Sequence, residues 1–183
     1  MLEKELIQEC ISGNRVAQKE LYERYSPSLF AICMRYMSTR EEAEDVLIMG
    51  FTTIFAKLDT FNGGGSFEGW MKHIIVNTAV SECRANRLRY ELEDKSEELS
   101  QKQKKGLASE EITYSKINTK YIMKQIQQLS IGYRTIFNLY AIEGYSYNDI
   151  AIKMEIEIGT VRSQLAKARK LLQQKLKDFK YDE

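Results

Sequence analysis

The chain has 183 residues, 43% of them hydrophobic, with 27 Lys and Arg against 26 Asp and Glu, one proline and ten glycines. That length holds one medium domain or two small ones. The hydrophobic share excludes wholesale disorder, and the scarcity of proline and glycine speaks against an all-β chain stitched by many turns.

No stretch approaches the ~18 apolar residues of a membrane span, so stable membrane insertion is not expected. The charged start MLEKELIQEC lacks the apolar stretch of a signal peptide, which points to a cytoplasmic protein. Cys10, Cys33 and Cys83 are odd in number and far apart, with no metal-ligand spacing. They read as buried thiols in a reducing compartment.

Helical periodicity runs through most of the chain. Leu6, Ile7, Cys10 and Ile11 share one face, and Ser12-Gly13-Asn14 stops that helix. Val16, Leu21 and Tyr25 belong to a second. Ser26-Pro27 reads as an N-cap followed by proline in the first helical position, so a third helix is predicted with Phe30, Cys33, Met34 and Met37. Thr39, with Glu42 three residues on, forms a capping box before a long helix bearing Ala43, Val46, Leu47, Ile54, Phe55 and Leu58. Asn62-Gly63-Gly64-Gly65-Ser66 breaks it. A further helix from about Phe67 carries Trp70, Ile74, Ala79 and Cys83.

After Tyr90 the stretch ELEDKSEELSQKQKKG is almost devoid of large apolar residues, and 91–113 reads as a polar linker. Helices resume near Ile117. Tyr121, Ile122, Ile126 and Leu129 form one stripe. Ser130 is placed to cap the next helix, which carries Ile136, Phe137, Tyr140 and Ala141 and ends at Gly144. Ser146 with Asp149 caps a short helix bearing Ile150, Ala151 and Met154. A turn of about three residues follows, then a last helix.

That last helix is the most informative feature. Val161, Leu165, Ala168 and Leu172 fall at i, i+4, i+7 and i+11, a narrow arc at about 100° per residue. Arg162, Lys167, Arg169 and Lys170 fall on the other side, and 158–177 contains no acid. A short capped helix, a tight turn and a helix with one apolar and one basic face make a helix-turn-helix pattern, which suits phosphate and base-edge contacts. A solvated basic face on an ordinary helix is the alternative. Net charge is −1 over 1–90 and +4 over 119–183, so attraction to nucleic acid is local to the C-terminal part.

Other constellations are weaker. Gly63-Gly64-Gly65 is followed by no Gly-Lys-Ser/Thr, so it is no phosphate loop of that type. His73 is the only histidine, which excludes a catalytic triad built on histidine and any multi-histidine metal site. Glu41, Glu42, Glu44 and Asp45 suit the positive end of a helix dipole better than a metal. Neither a cofactor, a metal nor a small-molecule substrate is expected, and there is no catalytic set.

The segment EGYSYNDIAIKMEIEIGTVRSQLAKARKLL closely resembles the second conserved domain of sigma-70-family transcription initiation factors, and AEDVLIMGFTTIFAKLDTFNGGGSFEGWMKHIIVNTA resembles their first. Order, linker and size resemble the extracytoplasmic-function (ECF) group. The resemblance implies an all-α protein of two small helical domains joined by a polar linker: 1–90 for polymerase docking and −10 recognition, 91–116 as linker, and 117–183 as a helix-turn-helix domain for −35 recognition. It implies three partners: core RNA polymerase, promoter DNA and an anti-sigma factor.

Laid over matching residues, the resemblance puts polymerase docking on Asp45, Val46, Ile48, Met49 and Phe51. It puts the −10 element against Phe61, Asn62, Gly63, Gly64, His73, Asn77, Arg84 and Arg87, with the glycine-rich loop receiving a base flipped from the melted strand. The −35 element falls to Arg162, Ser163, Gln164, Lys167, Arg169 and Lys170. The chain departs from the family pattern where Ile48-Met49 replaces a common Gln-Glu, His73 and Gln164 each replace a frequent Arg, and Leu129-Ser130 replaces Leu-Pro. Two rival readings are a stand-alone helix-turn-helix regulator and a helical adaptor that binds only protein.

Overall fold

The computed structural model describes residues 2–93 and 114–177, and among these every regular element is helical. The helices are α1 (Glu3–Ile11), α2 (Arg15–Tyr36), α3 (Arg40–Ala56), α4 (Phe67–Glu93), α5 (Tyr114–Gln127), α6 (Ile131–Ala141), α7 (Tyr147–Met154) and α8 (Ile158–Lys177), with one 3₁₀ turn, Leu58–Thr60. The chain divides into two compact units, 1–83 and 84–183.

In the first unit α1 packs on α2 and α2 on α3. The break between α1 and α2 follows from Gly13, whose φ of +84° suits a residue without Cβ, and from Asn14, whose Oδ1 accepts from the amide of Val16 at 3.0 Å. The stripe on α2 is Ala17, Leu21, Leu29, Ile32, Cys33 and Tyr36, all buried, while Val16 is 74% exposed. The predicted boundary at Ser26-Pro27 is absent: α2 runs through Pro27. Proline cannot donate to the carbonyl of Glu23, but both residues are exposed, so solvation limits the cost of the lost bond. The buried positions keep helical register on both sides, so packing overrides the local stop.

The capping box of Thr39 and Glu42 forms as predicted, with Glu42 Oε2 accepting from the amides of Ser38 and Thr39 at 2.8 and 3.1 Å. The core face of α3 is Ala43, Val46, Leu47, Gly50, Phe51 and Ile54. Gly50 lets α4 close in, since a Cβ there would lie 2.2 Å from Cδ1 of the fully buried Ile75. On α4 the buried residues are Phe67, Met71, Ile75, Val76, Ala79, Val80 and Cys83. Trp70 and Ile74, expected on that stripe, are half-buried beside it.

The helices flank the expected linker closely. α4 continues to Glu93 and α5 begins at Tyr114; most of the predicted linker, 94–113, lies outside the described residues. In the second unit α8 packs on α5, α6 and α7. Its Val161, Leu165, Ala168 and Leu172 are buried as the spacing predicts, and Ala168 and Leu172 join Ile126 and Leu129 in one cluster. Ile122, assigned to the α5 stripe, is 42% exposed. Arg134 is buried and donates from Nη1 to the carbonyl of Gln127 at 2.9 Å, placing a cation on the negative end of α5. Ser130 stands at the N-cap of α6 but its side chain caps nothing. Gly144, with φ of +76°, ends the α6 turn, where the amide of Tyr145 donates to the carbonyl of Leu139 at 2.9 Å.

Candidate nucleic-acid interface

The helix-turn-helix is built by local rules. Ser146 Oγ accepts from the amide of Asp149 at 3.2 Å, and Asp149 Oδ2 accepts from the amide of Ser146 at 3.3 Å, so both ends of this capping box close and α7 starts sharply. Glu155 adopts a left-handed conformation, φ 53° and ψ 50°, which turns the chain out of α7 at once. Ile150 and Met154 of α7 and Val161 and Leu165 of α8 are all buried. That packing fixes the rotation of α8 about its own axis. Arg162, Ser163, Lys167, Arg169 and Lys170 are therefore exposed together, and Gln164 is half-buried at their edge.

Two of these cations rest on aromatic rings. The guanidinium of Arg169 lies 5.0 Å from the ring centroid of Tyr140, and that of Arg162 lies 5.9 Å from that of Tyr147. The tyrosine rings stack on each other at 5.0 Å and 9°. A hydrogen bond from Tyr147 lowers the pKa of the Tyr140 hydroxyl and raises that of Tyr147. The sequence places Tyr140 on the apolar stripe of the helix before Gly144 and assigns Tyr147 no role. The only signal for this pair was their i, i+7 spacing across the α6–α7 junction.

In the first unit the loop after the 3₁₀ turn is tied by short-range bonds. Asn62 Oδ1 accepts from the amide of Gly64 at 3.0 Å, and Ser66 Oγ accepts from the amide of Gly69 at 3.0 Å, capping α4. Gly63 has φ of +75°. Asn62, Gly63 and Gly64 are exposed, while Phe61 is half-buried with its ring 5.1 Å from Phe67 and 5.6 Å from Trp70. Phe67 and Trp70 lie nearly parallel at 5.8 Å. The loop thus exposes Asn62, Gly63 and Gly64 beside an aromatic group of Phe61, Phe67 and Trp70. On α4, His73 is exposed and Asn77 and Arg84 are half-buried; of Arg87 the structure describes the helical backbone only.

The residues expected to dock polymerase divide. Asp45, Ile48 and Met49 are exposed, and they line a shallow groove of about 340 Å³ with Glu42, Val46 and Glu82. Val46 and Phe51 are core residues, 1% and 3% exposed, so they hold that face in place and present almost nothing to a partner. Their inward direction follows from the i, i+4 spacing with Leu47, Gly50 and Ile54. Ile48 and Met49, 58% and 48% exposed, form an apolar spot beside the acids. Among the described residues no three His, Cys, Asp or Glu side chains converge as a metal site would need, and no helix is long and apolar enough to cross a membrane.

Residues 21–89 match the family described as Sigma-70 region 2, and residues 119–172 match Sigma-70, region 4. The chain belongs to the sigma-70 family. It is 27% identical over 183 residues to the ECF RNA polymerase sigma-E factor of Haemophilus influenzae, covering 96% of each chain. It is 28% identical over 180 residues to the RNA polymerase sigma-H factor of Pseudomonas aeruginosa, covering 95% of this chain and 93% of that one. To the ECF RNA polymerase sigma factor SigW of Bacillus subtilis it is 26% identical over 185 residues, covering 98% and 99%. Among solved structures, it resembles the sigma factor RpoE of Bartonella quintana, crystallised with the anti-sigma factor NepR. Identity is 26% and TM-score 0.53, over 88% of this chain and 98% of that one. The region 2 match runs from within α2 through α3 and the glycine loop into α4, and the region 4 match runs from within α5 through α6 and α7 to Leu172 in α8.

Proposed function

We propose that this chain is a cytoplasmic ECF sigma factor that directs core RNA polymerase to specific promoters and has no chemistry of its own. The observation that carries the reading is the presence of both sigma-70 regions in order, with an acid-free basic face on the region 4 helix α8. In this reading the exposed edge of α3, Asp45, Ile48 and Met49, docks on polymerase, held by Val46 and Phe51 beneath. Ile48 and Met49 supply apolar contact where relatives commonly carry polar side chains.

The loop from Phe61 through Gly64 receives an unpaired −10 base. Its exposed Asn62, Gly63 and Gly64 and the aromatic group beside them suit that task, since a flipped base needs close backbone and a stacking wall. His73 and Asn77 face the −10 element, and Arg84 and Arg87 hold phosphates beyond it. Arg162, Ser163, Gln164, Lys167, Arg169 and Lys170 read the −35 element as duplex, with Gln164 favouring adenine. Melting is driven by binding energy. An anti-sigma factor controls the protein by covering these surfaces, as a partner is bound in the Bartonella structure. A stand-alone regulator would leave the region 2 match without a role.

The test is run-off transcription with sigma-free core polymerase, purified protein and genomic fragments. Discrete start sites that share two spaced elements are expected. Failure to bind core, or binding without any new transcript, would remove the initiation-factor reading.

A further inference from the structure

Arg162 and Arg169 are seven residues apart, two turns of α8, and so lie on one face about 10 Å apart along the axis. Each is a long side chain that would otherwise sample many rotamers in water. Here each guanidinium lies over a tyrosine, Arg169 over Tyr140 at 5.0 Å and Arg162 over Tyr147 at 5.9 Å. The rings themselves stack at 5.0 Å and 9°, and a hydrogen bond joins their hydroxyls. Neither tyrosine is on α8: Tyr140 lies in the last turn of α6 and Tyr147 opens α7. The two arginines therefore rest on one continuous shelf supplied by the helices that brace the recognition helix.

We infer that Tyr140 and Tyr147 are positioning residues for DNA recognition: their stacked rings hold Arg169 and Arg162 in extended, outward-facing conformations before DNA arrives. The inference rests on the proposed role of α8 in duplex reading. A guanidinium lying over a ring is held there by the ring quadrupole; Arg169 also bonds the tyrosine hydroxyls, and the rest of its five N–H donors are left for a base edge or phosphate. Ordering an arginine before binding removes part of the entropy lost on binding. The device needs only aromatic faces at 140 and 147 and does not depend on which bases are read.

The experiment uses full-length protein assembled with core polymerase, and as probe a promoter duplex recovered from the run-off assay above. Affinity is measured for wild type, Tyr140→Phe, Tyr140→Leu, Arg169→Ala and the double variant Tyr140→Leu with Arg169→Ala. Tyr140→Phe keeps the ring and should bind within about 2-fold of wild type. Tyr140→Leu keeps apolar bulk but loses the quadrupole and should weaken binding about 3- to 10-fold. In the Arg169→Ala background the same change should cost nothing further. Because charge is retained, the salt dependence of Tyr140→Leu should match wild type, whereas Arg169→Ala lowers the slope by about one if Arg169 holds a phosphate.

If Tyr140→Leu weakens binding equally with and without Arg169, the shelf idea is overturned and the effect is one of fold, which the melting temperature of each variant will show directly. If Arg169→Ala weakens binding and Tyr140→Leu does not, the shelf idea alone falls. If Arg169→Ala changes nothing, Arg169 makes no contact for the tyrosines to prepare, and the shelf idea falls while duplex reading by the other α8 residues stands.

Discussion

Leu171 and Leu172 are adjacent, identical and on the same helix, yet the fold treats them differently. Leu172 is 6% exposed and packs with Ile126, Leu129 and Ala168, while Leu171 is 36% exposed. Truncation to alanine changes helix propensity equally at both positions, so that contribution cancels between the variants. At Leu172 the change deletes three buried carbons, about 2.4 kcal/mol at 0.8 per methylene, and leaves a cavity that raises the cost to about 3. At Leu171 much of the side chain is already wet and the loss should stay below about 1 kcal/mol. The second unit, 84–183, is stable by about 5–15 kcal/mol, so Leu172→Ala removes about a fifth or more of that.

The midpoint of unfolding should fall by about 10–20 °C for Leu172→Ala and by less than about 5 °C for Leu171→Ala. The assay is thermal unfolding followed by far-ultraviolet circular dichroism. Fluorescence of Trp70, the single tryptophan, lies in the first unit and supplies an internal control. Its transition should stay where it is in wild type. Equal shifts for the two leucines would refute the register assigned to α8, and with it the argument that rotation of this helix presents the basic face.

Three other consequences follow from packing, capping and ionisation. Gly50→Ala gains about 1 kcal/mol of helix propensity but drives a methyl into Ile75, at about 1–3 kcal/mol, so the single variant is neutral to destabilising and adding Ile75→Val should restore stability beyond the sum of the two changes; additivity in denaturant melts would contradict this. Ser146→Ala should cost about 1 kcal/mol, because its hydroxyl caps α7, whereas Ser130→Ala should be close to neutral, because that hydroxyl caps nothing; urea midpoints of the two variants decide it. Burial holds the Cys33 thiol at about 12, and burial with its bond to Glu3 holds the Tyr25 hydroxyl at about 12. Both values lie above those of the unfolded chain, so the folded state keeps protons that the unfolded state gives up. Their contributions are complete below about pH 9 and are lost as pH rises toward 12, which unfolding midpoints measured from pH 8 to 11.5 should show as a steady decline.

Much of this fold is written locally. The two capping boxes, Thr39 with Glu42 and Ser146 with Asp149, are visible because a cap is a contact between residues three apart. The core stripe of α8 is visible because its four positions keep one period over three turns. What was not visible is set by tertiary packing. Pro27 looks like a boundary in any short window, and only the buried residues on both sides carry α2 through it. Trp70 was expected on the α4 stripe, but the aromatic group at the loop draws Phe67 inward and leaves Trp70 at its edge. Val46 and Phe51 were assigned to docking by resemblance, yet their spacing with Leu47, Gly50 and Ile54 already placed them inside. The tyrosine shelf joins two helices across a turn, and no single-helix pattern reports it.

The charge distribution limits what α8 can do alone. Each good bidentate contact to a base pair discriminates by about 1–3 kcal/mol. Three such contacts give about 3–9 kcal/mol, while a genome of about 10⁶ competing sites demands about 8 for single-site selection. One helix therefore meets the requirement only at its upper limit. The rest of the chain adds little general attraction to phosphate, because the net charge is +1 and the first 90 residues carry −1. In the proposed reading, selection then needs the second reader, the glycine loop and α4, and that reader needs a strand already opened on polymerase. The free chain should accordingly bind a promoter duplex no more than about 10-fold better than a scrambled duplex at 0.15 M salt, and the preference should rise at least another 10-fold when core polymerase is present. Fluorescence anisotropy with both probes, with and without core, measures the two ratios. Strong preference by the free chain would mean that α8 reads more than three base pairs well, and it would return the stand-alone regulator to contention.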